Sequence, residues 1–145
     1  MKSILIIGLG RFGRHLCRKF MSLKNEVMIV DRDEAAVTAL ADEATSAQIA
    51  DCTDENALHA LGVKNFDLCF VCIGSDFASS LLITSMLKDM GAARVVAKAS
   101  QDIHAKLLLR NGADEVVYPE RDSAERMATR LSAQNVFDYI ELTDE

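Results

Sequence analysis

The apolar run Ile4 to Ile7 breaks into Gly8-Leu9-Gly10-Arg11-Phe12-Gly13, and an amphipathic stretch follows at once. This is G-x-G-x-x-G between a strand and a helix, the setting that gives the pattern physical meaning. Gly8 permits a tight turn. Gly10 lets the backbone come close to a pyrophosphate, where a Cβ would stand in the way. Gly13 lets the helix pack against the strand. The free N–H groups at the helix start then point at an anion, with Leu9 and Phe12 supplying backbone to the same loop.

The next apolar run, residues 26–30, reads as a second strand with Asp31 at its C-terminal end. That places an acid at about the expected spacing, roughly 20 residues beyond the glycines, for a hydrogen bond to ribose hydroxyls. A carboxylate there accepts from a ribose diol and repels a 2′-phosphate, a preference that Arg32 next door softens. A glycine turn that only packs helix on strand does not explain Asp31. The pairing points to an adenine–ribose–phosphate ligand.

The rest of the chain alternates strand and helix. Strands are expected at 3–7, 26–30, 47–50, 68–73, 94–98 and 115–118, and helices at 12–23, 34–42, 55–61, 77–90, 103–111 and 123–133. Asp33, Asp54, Asp102 and Asp122 stand where N-caps belong, and Gly91 and Gly112 where helices stop. The strands are short apolar runs without alternation, as expected when helices cover both faces. Six strand–helix pairs in two halves of three predict an α/β fold: a Rossmann-type doubly wound parallel sheet in order 3-2-1-4-5-6.

Ligands of such a sheet bind beyond the strand C-termini, where the order reverses. The residues there are Asp51, Cys52 and Thr53 after strand three, and Gly74, Ser75 and Asp76 after strand four, which ends at Ile73. Lys98 ends strand five, and Glu120 follows strand six. Asp51 and Thr53 suit the adenine end, and Gly74 lets backbone approach the ribose. Arg11, inside the glycine loop, can reach phosphate oxygens. Thr53 or Asp54, and Ser75 or Asp76, also read as helix caps, a role compatible with ligand contact.

Bulk properties narrow the function. The 145 residues make one domain's worth of chain, and a net charge of -6 argues against general nucleic-acid binding. No apolar run approaches the roughly 20 residues of a membrane span, and the N-terminus does not read as a secretory signal, so a cytoplasmic chain is expected. Cys69 and Cys72 have C-x-x-C spacing, but on a strand such residues point to opposite faces. They read as buried hydrophobes, whereas Cys52 lies at a strand end where ligands bind. His15, His59 and His104 show no metal-like spacing. Residues 1–133 are expected to form the nucleotide-binding domain. Residues 134–145 keep an apolar set and then end in acids, and read as a linker or exchange arm toward a partner subunit or a further lobe.

Five segments together resemble one family: GLGRFG at 8–13, VDRDE at 30–34, ADCTDENAL at 50–58, GADEVVYPE at 112–120 and NVFDYIELTDE at 135–145. They are similar to the RCK, or KTN, domain of the cytosolic regulatory subunits of Ktr and Trk potassium transporters. The chain looks like the N-terminal lobe of such a subunit. The resemblance implies binding of ATP, ADP or NAD(H) and conversion of nucleotide identity into conformational change. It implies homodimers, an octameric ring, and a membrane potassium channel subunit as partner, with the protein held at the inner face of the membrane. Arg11 then matches a phosphate-contacting arginine and Asp31 a ribose carboxylate. Glu120 matches a glutamate near the phosphates, where a cation can sit at a dimer interface. Asp33 and Asp51 are often asparagine in such proteins, which leaves the preferred nucleotide open. A small NAD-dependent oxidoreductase and an NADH/NAD⁺ redox-sensing regulator are the alternatives. The first lacks an evident His, Tyr–Lys or Cys–His constellation at the strand ends. The second needs a DNA-binding element that these residues do not contain.

Overall fold

Runs of β-branched and apolar side chains cannot face water on either side, so each is expected to lie in the middle of a sheet covered twice. The structure, a computed structural model, describes residues 1–133 and residue 140. Its strands are β1 (Ser3–Ile7), β2 (Glu26–Asp31), β3 (Ser46–Ile49), β4 (Leu68–Val71), β5 (Val95–Lys98) and β6 (Glu115–Val117). They form one sheet in the order β3-β2-β1-β4-β5-β6. Every pairing is parallel, with Ile7 beside Val30 on one flank and beside Val71 on the other. The predicted topology is therefore the observed one.

Alternate residues of the central strands feed two cores. Leu5, Ile7, Cys69, Val71, Val95 and Ala97 pack on one face with Leu58, Ile83, Leu87 and Leu108. Ile4, Ile6, Phe70, Cys72 and Val96 pack on the other with Cys17, Val37 and Leu40. Helices α1 (Arg11–Ser22) and α2 (Glu34–Leu40) thus cover the second face. Helices α3 (Glu55–Ala60), α4 (Phe77–Asp89) and α5 (Asp102–Arg110) cover the first. Ile4, Leu5 and Ile6 are wholly buried, each worth about 1.5–3 kcal/mol of apolar transfer. Cys69 and Cys72 fall in opposite cores, as the strand period requires.

Helix starts follow side-chain chemistry where Asp precedes the helix. Asp33 accepts the Ala35 N–H, Asp54 the Asn56 N–H and Asp76 the Ser79 N–H. Gly91 and Gly112 follow the last residues of α4 and α5 with φ of +81° and +127°, as expected of helix stops.

Two expected caps are corrected. Helix α5 begins at Asp102 itself, behind Gln101, which makes no capping bond. Helix α6 (Pro119–Ser132) starts four residues earlier than its expected start at 123, because Pro119 at the first position already has helical φ and needs no amide partner. Asp122 instead lies in its first turn and accepts the Tyr118 N–H at 3.3 Å. Two short 3-10 turns, Ala41–Glu43 and Val63–Asn65, were not foreseen. Helix α6 buries none of its residues, and its Met127 and Leu131 are exposed. The expected linker at 134–145 lies outside the described residues, apart from Ile140.

Candidate functional site

The site is built where β1 and β4 send their chains to opposite sides. Gly8 has φ +101°, and a Cβ there would lie 2.8 Å from the Cys72 carbonyl carbon and oxygen. A side chain is thus excluded by both backbone conformation and the neighbouring strand end. A Cβ on Gly13 would collide with the Gly8 carbonyl oxygen, so Gly13 sets how closely α1 rests on β1. Gly10 is different. Its φ is −71°, and among the described residues nothing beyond its own chain neighbours comes within 4 Å of a Cβ built on it. No described residue demands a glycine there, which fits a backbone kept bare for a ligand.

The start of α1 has the same character. No side chain caps it at Gly10, and no acid lies in its first turn. The other five α-helices among the described residues each have an Asp cap or a first-turn acid. The positive end of the α1 dipole and its unpaired first amides are thus left for an outside anion.

Asp31 is held opposite this helix start. One carboxylate oxygen accepts the Leu9 N–H at 2.8 Å and the other the Asp33 N–H at 2.9 Å. Each oxygen keeps a lone pair free, so the carboxylate is oriented yet able to accept from a diol. Gly8 in turn donates to the Val30 carbonyl at 2.9 Å, locking the loop to the end of β2.

A cleft of about 200 Å³ brings together Gly8, Leu9, Gly10, Asp31, Arg32, Asp51, Cys52, Thr53, Ile73, Gly74, Ser75 and Lys98. Asp51 accepts both the Thr53 hydroxyl at 2.6 Å and the Thr53 N–H at 3.0 Å. These bonds hold its carboxyl below the usual carboxylate range, and the Arg32 charge acts in the same direction. Asp76 is lowered likewise by the Ser79 hydroxyl and N–H, again with help from Arg32. Arg32 therefore lies in the field of two ionised carboxylates. Burial, with the charges of Asp51 and Asp31, pushes the Cys52 thiol up to about 12, so it is an apolar wall and not a nucleophile.

Arg11, Phe12 and Glu120 belong to a second, wider cavity of about 860 Å³, together with His15 and Tyr118. The two spaces meet at Gly74 and Lys98, which line both. Gly13 lines neither and acts only through packing. Sequence reasoning passed over Ser79 and Ile83 as cleft residues. The available signal for Ser79 was its place three residues after a capping Asp, where its hydroxyl bonds back to Asp76 at 2.6 Å. Among the described residues no three His, Cys, Asp or Glu side chains gather to hold a metal. Nor is any helix among them long and apolar enough to cross a membrane.

The glycine loop, the oriented acid and the parallel sheet lie within one matching family model, that of the TrkA-N domain, which covers residues 4–119. The chain belongs to the TrkA-N domain family. Ktr system potassium uptake protein C of Bacillus subtilis (strain 168) is 44% identical to this TrkA-N domain over 144 residues, 99% of this chain and 65% of that protein. Ktr system potassium uptake protein A of the same organism is 41% identical over the same shares. The chain thus spans 65% of the length of these relatives, and the RCK-type resemblance drawn from its motifs holds. Among solved structures, the NAD(P)-binding domain of an exopolyphosphatase-related protein from Archaeoglobus fulgidus matches with a TM-score of 0.80 at 23% identity. That match covers 91% of this chain and 98% of that one. The AMP-bound Kef C-terminal domain of Shewanella denitrificans matches at 0.78 and 23%, covering 98% and 88%. Both likenesses bear on the fold alone.

Proposed function

We propose that this TrkA-N domain binds an adenine nucleotide and serves as the cytosolic sensing part of a potassium uptake system, without catalysing a reaction. The observation that carries the reading is Gly10, bare of protein neighbours at the uncapped start of α1 and facing the oriented Asp31 carboxylate. Supporting it, two relatives are named as potassium uptake proteins, and two structural neighbours are described as NAD(P)-binding and AMP-bound.

In this reading Asp31 accepts from the ribose diol and the amides after Gly8 take the first phosphates. Asp51 and Thr53 border the adenine. Arg11, across the junction at Gly74 and Lys98, meets the distal phosphates of ATP or ADP, with Glu120 holding a cation against them at a subunit boundary. The exposed face of α6 is covered by a second copy, and such dimers build the octameric ring under a membrane potassium channel subunit at the inner face of the membrane. Nucleic acid is not a partner. A nucleotide moves such an assembly only by binding one of its conformations more tightly than another.

Calorimetric titration with ATP, ADP, NADH and NAD⁺, with and without a divalent cation, tests this. Arg11→Ala should weaken ATP about tenfold or more while leaving adenosine unchanged. Wild-type protein that binds none of the four nucleotides would defeat the proposal. Equal losses for adenosine and ATP would reduce Arg11 to a support of the loop.

A further inference from the structure

Beside the cleft lies a third cavity, of about 160 Å³, where β4 and β5 end and α4 and α5 begin. Its polar walls are Ser75, Ser80, Lys98, Ser100, Gln101 and His104. It is the smallest of the three cavities, a size that suits a compact occupant.

Charge sets the sign of that occupant. Among the described residues no carboxylate lines this cavity, although the chain carries a net -6, and the other two cavities each include acids. The cation is Lys98, whose ammonium lies 3.4 Å from where a Cβ on Gly74 would stand. Asp102, the acid in the first turn of α5, is drawn away by Arg121 at 2.9 Å, and that guanidinium rests over the Tyr118 ring. The nine-residue helix α5 also starts without a side-chain cap at Gln101. His104 is stacked on Phe77 at 3.8 Å, which fixes its ring at the cavity edge.

The second, independent observation is Ser80. It is 2% exposed, and its hydroxyl has no hydrogen-bond partner among the described residues. A buried hydroxyl left unpaired is costly, and an unpaired one in a cavity wall marks the place of a missing partner atom. Thr84, one turn further along α4, is also unpaired but lines none of the three cavities.

We propose that this cavity binds a compact oxyanion of the phosphate type, held by Lys98, the Ser80 hydroxyl and the amides at the start of α5. The oxyanion is either free in solution or the terminal phosphate of a nucleotide seated in the adjoining cleft, which shares Ile73, Gly74, Ser75 and Lys98 with it; in the second form Arg11 meets only the phosphate before the last. Only the second form rests on the proposed nucleotide site.

The test titrates inorganic phosphate into protein saturated with AMP, so that the glycine loop is occupied, and compares wild type with Ser80→Ala. AMP and ATP are titrated into both proteins separately, and thermal unfolding is followed in phosphate-free buffer. Ser80→Ala should weaken phosphate about tenfold, leave AMP unchanged, and keep or raise the unfolding temperature because an unpaired hydroxyl is gone. Phosphate that still binds beside ATP identifies the free anion. ATP that abolishes phosphate binding, and is itself weakened by Ser80→Ala, identifies the nucleotide tail. The proposal is overturned if phosphate binds both proteins equally. It is also overturned if phosphate does not bind and Ser80→Ala leaves ATP affinity unchanged. Absence of AMP binding to the wild type would defeat the nucleotide reading alone, since the phosphate comparison is then read in the same way.

Discussion

The Asp31 carboxylate accepts the Leu9 N–H at 2.8 Å, so the acid that ends β2 braces the loop that follows β1. The two parts of the motif are therefore mechanically joined before any ligand arrives. Asp31→Ala should both loosen the loop and remove the ribose acceptor. Two backbone N–H groups would lose their partner, at a cost of about 1–3 kcal/mol in urea unfolding. Asp31→Asn keeps one acceptor oxygen and should recover part of that stability, while still weakening adenosine in calorimetry. Equal adenosine affinity in wild type and both variants would remove Asp31 from the site.

The glycines separate packing from binding. Gly8→Ala and Gly13→Ala each drive a Cβ into backbone and should destabilise the fold markedly in urea unfolding. Gly10→Ala meets no protein atom and should cost no more than about 1 kcal/mol, the difference between glycine and alanine at a helix N-cap. The same substitution should cut nucleotide affinity about tenfold or more. A Gly10→Ala protein with wild-type affinity would show that no ligand approaches that backbone.

Acid stability has a defined direction. The Thr53 and Ser79 bonds depress the Asp51 and Asp76 pKa values in the folded state. Between the folded and unfolded values the unfolded chain binds more protons, so stability rises with pH there. The contribution is complete above the unfolded carboxyl pKa of about 3.9 and disappears as pH falls through the folded values. Thr53→Ala should move the Asp51 carboxyl, followed by carbon NMR, back up toward its ordinary value. An unmoved Asp51 titration would assign the depression to another group.

The thiols should be inert in the native state. Burial pushes Cys52, Cys69 and Cys72 up to about 12. Against an ordinary value near 8.5, the thiolate fraction at neutral pH falls about three thousandfold. A disulfide reagent such as Ellman's should react with the folded protein slower by a similar factor than with the chain in guanidinium. Fast labelling of a single cysteine under native conditions would contradict the burial of Cys52 and Cys72, the two of these three that border the cleft.

Much of this molecule was legible without coordinates. The apolar runs, the Asp caps at Asp33, Asp54 and Asp76, and the glycines after α4 and α5 are local signals. Each depends on the chemistry of a few adjacent residues. The strand order followed as well, because right-handed crossovers leave few ways to lay six parallel strands in a sheet. The glycine loop and Asp31 were legible for the same reason: their spacing along the chain is their spacing in space, one strand–helix–strand unit.

What only the tertiary structure decided is how residues from different units share space. The candidate site residues divide between two cavities, with Arg11 and Glu120 in one and Asp31 and Asp51 in the other. Lys98 serves both and also a third, while Gly13 serves none. The early start of α6 places Glu120 in a helix turn, and the unpaired Ser80 hydroxyl lies inside a helix that looks ordinary in sequence. Local propensity and turn chemistry act over a few residues. The grouping of side chains around a crevice depends on register and helix packing across the whole sheet, which no short window of the chain records.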